Sequence, residues 1–280
     1  VKGVALFEYT EGDLKIDNVK IHYYRTGGQK PPIILLHGAT DNGLCWTPVA
    51  ELLAEKYDVI MQDTQGHGFS DRLDKGFTFM SPTNEVAGLV KQLGLQKPII
   101  MGHSMGAGIT VSVAVAYPSL PKAIILEDPG WMIPESGNTE FARAKMNQRD
   151  AYMRSLVELG KRPLEEIMAE GKKLNPRWSE AELKPWAKSK QQFDPELFAK
   201  PLLDPRSYEE LVPQIKCPTL LIISDDGIVK KEVAENATRL WKSKEPFKWV
   251  QIKGAGHNIR REQFEDYKAT LFDFLNSLLD

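Results

Sequence analysis

Short apolar runs alternate along the chain with stretches in which apolar residues recur at helical spacing. Ile33-Ile34-Leu35-Leu36, Val59-Ile60-Met61, Pro98–Met101, Ala123–Leu126, Thr219–Ile223 and Phe247–Ile252 are too short for helices, and turn formers bound many of them. They predict buried strands. The intervening pattern predicts helices over Thr47–Lys56, Pro82–Leu93, Ser104–Ala116, Lys231–Trp241 and Arg261–Leu279. Near the start, Val4–Tyr9 and Val19–Tyr24 predict an antiparallel hairpin around the turn-rich segment Glu11–Asn18. Strand–helix alternation of this kind belongs to an α/β domain with a mostly parallel sheet covered on both faces.

The alternation stops between about Pro129 and Pro213. There the pattern is helical throughout, over Phe141–Leu159, Pro163–Lys173 and Ser179–Gln191, and prolines cut it into short pieces. This predicts one core domain made of residues 1–129 and 213–280, with an all-helical unit, residues 130–212, inserted into it.

Composition narrows the function classes. Hydrophobic residues at 42% and charged residues at 26% are ordinary for a globular domain. The charge sum, 36 − 38 = −2, offers no bulk attraction for nucleic acid or an anionic membrane. No apolar run approaches the roughly 18–20 residues of a membrane span. The first ten residues lack the apolar stretch of a secretory leader. With only Cys45 and Cys217, far apart, a reducing, cytoplasmic setting is expected. None of the five histidines falls at His-x-x-x-His spacing, so a structural metal is not expected. Oligomeric state is left open between monomer and homodimer.

The chemistry centres on Gly102-His103-Ser104-Met105-Gly106, which follows one predicted strand and opens a predicted helix. Glycines on both sides let the chain turn sharply and lift the serine hydroxyl clear of the sheet. A serine needs a base to become a nucleophile. The one histidine downstream is His257, in the loop Gly254-Ala255-Gly256-His257-Asn258 after the last strand. The base in turn needs an acid to hold its tautomer. Chain order points to the loop Ser224-Asp225-Asp226-Gly227, with Asp226 the first choice; Asp225 and Asp128, at the end of an earlier strand, are the alternatives. Two main-chain N–H groups should meet the oxyanion: that of Met105, and one in the turn His37-Gly38-Ala39-Thr40, with Ala39 first and Thr40 second. His37 reads as scaffolding of that turn.

Four motifs together, His37-Gly38, Asp63-Thr64-Gln65-Gly66-His67-Gly68-Phe69-Ser70, the elbow at Ser104 and Gly256-His257, make the chain similar to the α/β-hydrolase-fold serine hydrolases. The resemblance implies an eight-stranded sheet, with a helical cap between the sixth and seventh strands, where Pro129–Pro213 falls. Two departures stand out. Gln65 occupies a position that is usually arginine in relatives, which removes or replaces local bracing. The loop at Ser224 is also one residue shorter than the usual form, which bears on the acid alone.

A serine at the elbow restricts the reaction. Relatives that dehalogenate or open epoxides use aspartate there, because displacement by serine would leave an inert ether. Ser104 therefore points to acyl transfer: first to hydrolysis of a small-molecule carboxylic ester, with a lactone or the C–C bond of an activated diketone as alternatives. No cofactor is expected, since water completes the acyl-transfer cycle. A non-catalytic ligand receptor of the same fold is the alternative from another class. Trp131, Trp178, Trp186, Met132, Met146, Met153 and Met168 fall in the insertion. Most are expected to pack, and any facing Ser104 would favour an apolar or aromatic substrate. Lys172, Lys173 and Lys188 read as a solvated face.

Overall fold

The computed structural model describes residues 9–133 and 151–279. Eight strands form one sheet in the order β1-β2-β4-β3-β5-β6-β7-β8. They are β1 Thr10–Ile16, β2 Val19–Arg25, β3 Pro32–Leu36, β4 Asp58–Gln62, β5 Ile99–His103, β6 Ala123–Glu127, β7 Thr219–Ser224 and β8 Phe247–Ile252. From β4 to β8 every pairing is parallel, while β1–β2 and β2–β4 are antiparallel.

The uninterrupted apolar runs follow from burial on both faces. Alternate residues such as Ile34, Leu36, Ile100, Ile124 and Leu221 enter one core, under α2 (Ser81–Gln92) and α3 (Met105–Ala116). Their neighbours Ile33, Leu35, Met101, Ile125 and Leu220 enter the other, under α1 (Thr47–Leu53). Each such side chain, fully withdrawn from water, contributes about 1.5–3 kcal/mol.

The N-terminal hairpin differs from the sequence expectation. Residues 4–8 of the expected first strand lie outside the described residues, and β1 instead occupies most of the segment read as a turn. The tight turn is Asp17-Asn18, both at positive φ (48° and 70°), the conformation a two-residue hairpin loop requires. Leu14 and Ile16 alternate with exposed Glu11, Asp13 and Lys15, so a half-buried strand was encoded there.

Between β6 and β7 the described chain is helical: residues 151–160, α4 (Leu164–Leu174) and α5 (Glu180–Gln192), the last capped by the Ser179 hydroxyl. Residues 141–150 of the first expected helix, with Met146, fall outside the described residues. These helices share an apolar cluster of their own, including Leu156, Ile167, Leu183, Trp186 and Phe193. After β7 come α6 (Lys231–Leu240), α7 (Ile259–Glu262) and α8 (Phe264–Ser277), the last packed beside α1. No described helix is long and apolar enough to cross a membrane.

Candidate active site

The site is assembled from loops at the carboxyl ends of β3, β5, β6 and β8, where open parallel sheets place their ligand crevices. Ser104 sits between β5 and α3 with φ 53° and ψ −115°, a conformation that costs a non-glycine residue about 1–3 kcal/mol. The turn survives because its flanks are glycine. A Cβ on Gly102 would come within 2.3 Å of the Gly106 carbonyl, and one on Gly106 within 2.1 Å of the Leu36 oxygen. The Ser104 carbonyl accepts from Gly108 (3.0 Å) and Gly130 (2.8 Å), which ties the elbow into the helix and to the chain after β6.

Ser104 and His257 line the same cavity, of about 490 Å³. Among the described residues the Ser104 hydroxyl makes no hydrogen bond; hydroxyl–imidazole bonds are often long in unliganded sites and tighten with substrate. The histidine's other nitrogen is firmly held. His257 Nδ1 lies 2.6 Å from Asp128 Oδ2.

Asp226, the first choice from sequence, does not reach the imidazole. It is exposed, and its backbone N–H bonds the Ala255 carbonyl at 3.3 Å. Asp225 is likewise exposed and fastens the loop, accepting from Gln251 Nε2 and Gly254 N–H at 2.8 Å each. Asp128 is fully buried one strand away, and the Ile228 and Val229 N–H groups also donate to its carboxylate. Gly227 makes the room: a Cβ there would lie 2.6 Å from Asp128 Oδ2. The 224–229 loop therefore donates to the Asp128 carboxylate, and it is Asp128 that contacts the imidazole.

The two expected oxyanion donors are unoccupied among the described residues, since neither the Ala39 nor the Met105 N–H bonds another group. Thr40, the second choice, is not available, because its N–H donates to His67 Nε2 (3.2 Å). His37 is scaffolding, donating from Nδ1 to the Gly38 carbonyl (2.8 Å) and accepting the Thr64 N–H at Nε2 (3.2 Å). Burial lowers the pKa of His37 and depresses that of His67 strongly, so both stay neutral and keep these roles. His103, inside the elbow, is also held neutral by burial and by the nearby arginine Arg260. Its Nε2–H donates to the His257 carbonyl (2.9 Å), so the elbow supports the loop that carries His257.

The cavity wall is more polar than the sequence suggested. Trp178, Trp186 and Met153 line it, but so do Asp41, Arg162, Glu170, Lys190 and Arg261. Trp131 instead stacks on Tyr208 in the core, Met168 packs within the insertion, and Met132 is exposed. Lys172, Lys173 and Lys188 face solvent. Asp41 is buried between Lys190 Nζ (3.1 Å) and Arg261 Nη2 (2.8 Å). Burial alone would raise its pKa, yet the two cations hold it well below the usual carboxylate range. Sequence reasoning overlooked this cluster. The available signal was that Lys190 shares a helix face with apolar Leu183, Trp186 and Ala187, whereas Lys188 does not. No group of three or more His, Cys, Asp or Glu among the described residues is placed to hold a metal.

A family model described as alpha/beta hydrolase fold matches residues 31–260. The chain belongs to that family. Uncharacterised proteins of Mycobacterium tuberculosis are 34% identical to this alpha/beta hydrolase over 107 residues, 38% of the chain and 31% of theirs. The match thus spans about a third of the length of these curated relatives. N-formylmaleamate deformylase of Pseudomonas putida is 23% identical over 273 residues, covering 95% of this chain and 96% of that protein. Among solved structures, E-2-(acetamidomethylene)succinate hydrolase superposes with a TM-score of 0.74 at 18% identity, over 96% of this chain and all of the other. At that identity the likeness speaks for the fold.

Proposed function

We propose that this alpha/beta hydrolase cleaves small carboxylic esters through an acyl-enzyme on Ser104, with His257 as base and Asp128 as its orienting acid. The observation that carries this reading is the 2.6 Å contact between His257 Nδ1 and the buried Asp128 carboxylate, beside a strained serine on the same cavity. Nδ1 keeps its proton toward Asp128, which leaves Nε2 unprotonated and able to take the serine proton. The Ser104 oxygen attacks the carbonyl carbon, and the carbonyl electrons move onto oxygen between the Ala39 and Met105 N–H groups. Each such donor lowers the barrier by about 3 kcal/mol. Collapse expels the alcohol, which takes the proton from His257. Water, activated by the same imidazole, then releases the acid and restores Ser104. In this reading the inserted helices act as a cap that closes over the cavity and excludes bulk water.

The full-length similarity to N-formylmaleamate deformylase favours a second reading on the same machinery, an acyl group carried on nitrogen. The charged cavity wall accommodates a polar substrate of that kind as well as an ester.

A fluorophosphonate probe tests the nucleophile: it should label the protein, and Ser104→Ala should abolish the label. Turnover is then compared on p-nitrophenyl butyrate, N-formyl amides, lactones and diketones. No labelling of the native protein, with no turnover above buffer on any of them, would overturn the catalytic reading in favour of a ligand receptor.

A further inference from the structure

The loop that carries the Ala39 N–H is held from outside the core domain. Lys190, on α5 of the inserted segment, is buried and places its Nζ 2.9 Å from the Thr40 carbonyl oxygen, 3.0 Å from Thr40 Oγ1 and 3.1 Å from Asp41 Oδ1. Thr40 needs such fixing, because it adopts φ 64°, an uncommon conformation for a β-branched residue.

The contact leads directly to the oxyanion donor. The Thr40 carbonyl gripped by Lys190 belongs to the same peptide group as the Asp41 N–H. That N–H donates to the Gly38 carbonyl at 3.1 Å. The Gly38 carbonyl belongs to the same peptide group as the Ala39 N–H, and a trans peptide points the two in opposite directions. A chain of hydrogen bonds therefore runs from the ammonium through two peptide groups to the vacant Ala39 donor. Its alignment, together with His37 Nδ1, which donates to the same Gly38 carbonyl (2.8 Å), fixes where that donor points. A cation at the far end polarises each link, so that the last N–H carries more positive charge.

We propose that Lys190 is a positioning residue for acyl transfer, which aims and polarises the Ala39 N–H through the Thr40–Asp41 and Gly38–Ala39 peptides. This rests on the reading of Ser104 as the nucleophile. It also gives the inserted segment a second part in the reaction, because the oxyanion hole is complete only when α5 is docked. The docking is reinforced from the other side. Arg261, four residues after His257, donates to Asp41 Oδ2 (2.8 Å) and to Glu182 Oε2 of α5 (3.1 Å).

The test is Lys190→Met, which keeps the length of the stem and removes the charge and the donors. Rates are taken per fluorophosphonate-labelled site, so that only folded protein is counted. The expected result is a fall in kcat of about tenfold to a hundredfold with KM unchanged within about threefold. The Ki of a trifluoromethyl ketone, which forms an oxyanion on the serine, should rise by the same factor as kcat falls. An unchanged kcat, a loss confined to KM, or an unchanged Ki would overturn the proposal. If Lys190→Met is insoluble, Lys190→Ala is assayed with and without propylammonium: recovery of kcat supports the chain, and no recovery overturns it. The chain is also read without turnover, from the Ala39 amide nitrogen and Gly38 carbonyl resonances. Lys190→Met should shift both, and unmoved resonances would refute the chain even in a protein that proves not to be a hydrolase.

Discussion

Glu85, on α2, is a carboxyl group buried without a cation among the described residues. Its Oε2 accepts from the Gln65 N–H (3.2 Å) and from Gln62 Nε2 (3.5 Å), while its Oε1 has no partner among the described residues. It lines a second cavity, of about 300 Å³, together with Asp17, Asp74 and Gln65. Burial pushes its pKa from 4.5 up to about 8; Asp74 adds to the rise, and the Gln65 N–H opposes it. Between those two values the folded protein binds one more proton than the unfolded chain, so this group makes stability fall as pH rises. Its contribution is fully present below about pH 4.5, and is lost progressively as pH climbs to about 8. The slope is about 1.4 kcal/mol per pH unit, or ~2.7 kcal/mol between about pH 5.5 and 7.5. Glu85→Gln mimics the protonated acid, with its amide nitrogen in the place of the unpartnered oxygen, and removes this dependence. Unfolding free energies from urea titration are measured for both proteins at the two pH values. The stability of the variant relative to the native protein should be greater at pH 7.5 than at pH 5.5 by ~2–3 kcal/mol. Parallel pH dependences would mean that the carboxyl titrates alike in both states, and the argument from burial would be wrong.

The proposed acid, Asp128, is separated from Asp226 by paired variants: Asp128→Asn should lower kcat by about 10⁴-fold, whereas Asp226→Asn should stay within about threefold of the native rate. Thermal unfolding of both checks whether the loss is one of folding; a larger loss for Asp226→Asn would restore the sequence-based choice. Arg260 and Glu127 form a wholly buried pair (3.0 Å), with the guanidinium 4.0 Å from the Trp46 ring centre. Arg260→Met should cost about 3–5 kcal/mol in urea unfolding by stranding the carboxylate, and Arg260→Met/Glu127→Gln should recover part of it.

Much of the core was legible because its signals are local. The strand runs and the glycine-flanked serine report backbone shape within a few residues, and β3 to β8 lie where the apolar pattern puts them. The contact between Asp128 and His257 was not legible in this way. Asp225-Asp226 looks right as a loop, but reaching His257 is a matter of register between strands far apart in sequence. Asp128 N–H bonds the Ile222 carbonyl at 2.9 Å, which aligns the end of β6 against β7 and directs its carboxylate under the imidazole. Its φ of 42° is a further feature that only the folded chain shows. The first strand of the N-terminal hairpin was misplaced for a different reason: the cluster of polar residues read as a turn conceals a period-two strand. Gln65 replaces bracing rather than only losing it. Its Nε2 donates to the Arg72 carbonyl (3.0 Å), but as a neutral side chain it leaves Glu85 without a counter-charge.

The same strands change character at their carboxyl ends, and that change explains why this face can hold a reactive site. Leu36 gives way to His37, Gln62 to Asp63, and Leu126 to Glu127 and Asp128, all buried. Buried polar groups demand partners, and here each finds its partner on a loop from another strand. His37 receives the Thr64 N–H, His67 the Thr40 N–H, Asp63 the Gly43 N–H, Glu127 the Arg260 N–H, and Asp128 the Val229 N–H. None of these loops can shift without stranding a buried group on a neighbour, at about 1–3 kcal/mol for each bond lost. Strain at Ser104 and Thr40 is tolerable only in such a frame, since an isolated loop would relax both residues to ordinary backbone angles. Donors fixed before substrate arrives need no reorganisation as charge develops, which is the condition for electrostatic stabilisation of a transition state. Lys190 extends this interlocking to the helices between β6 and β7, which line the same cavity as Ser104.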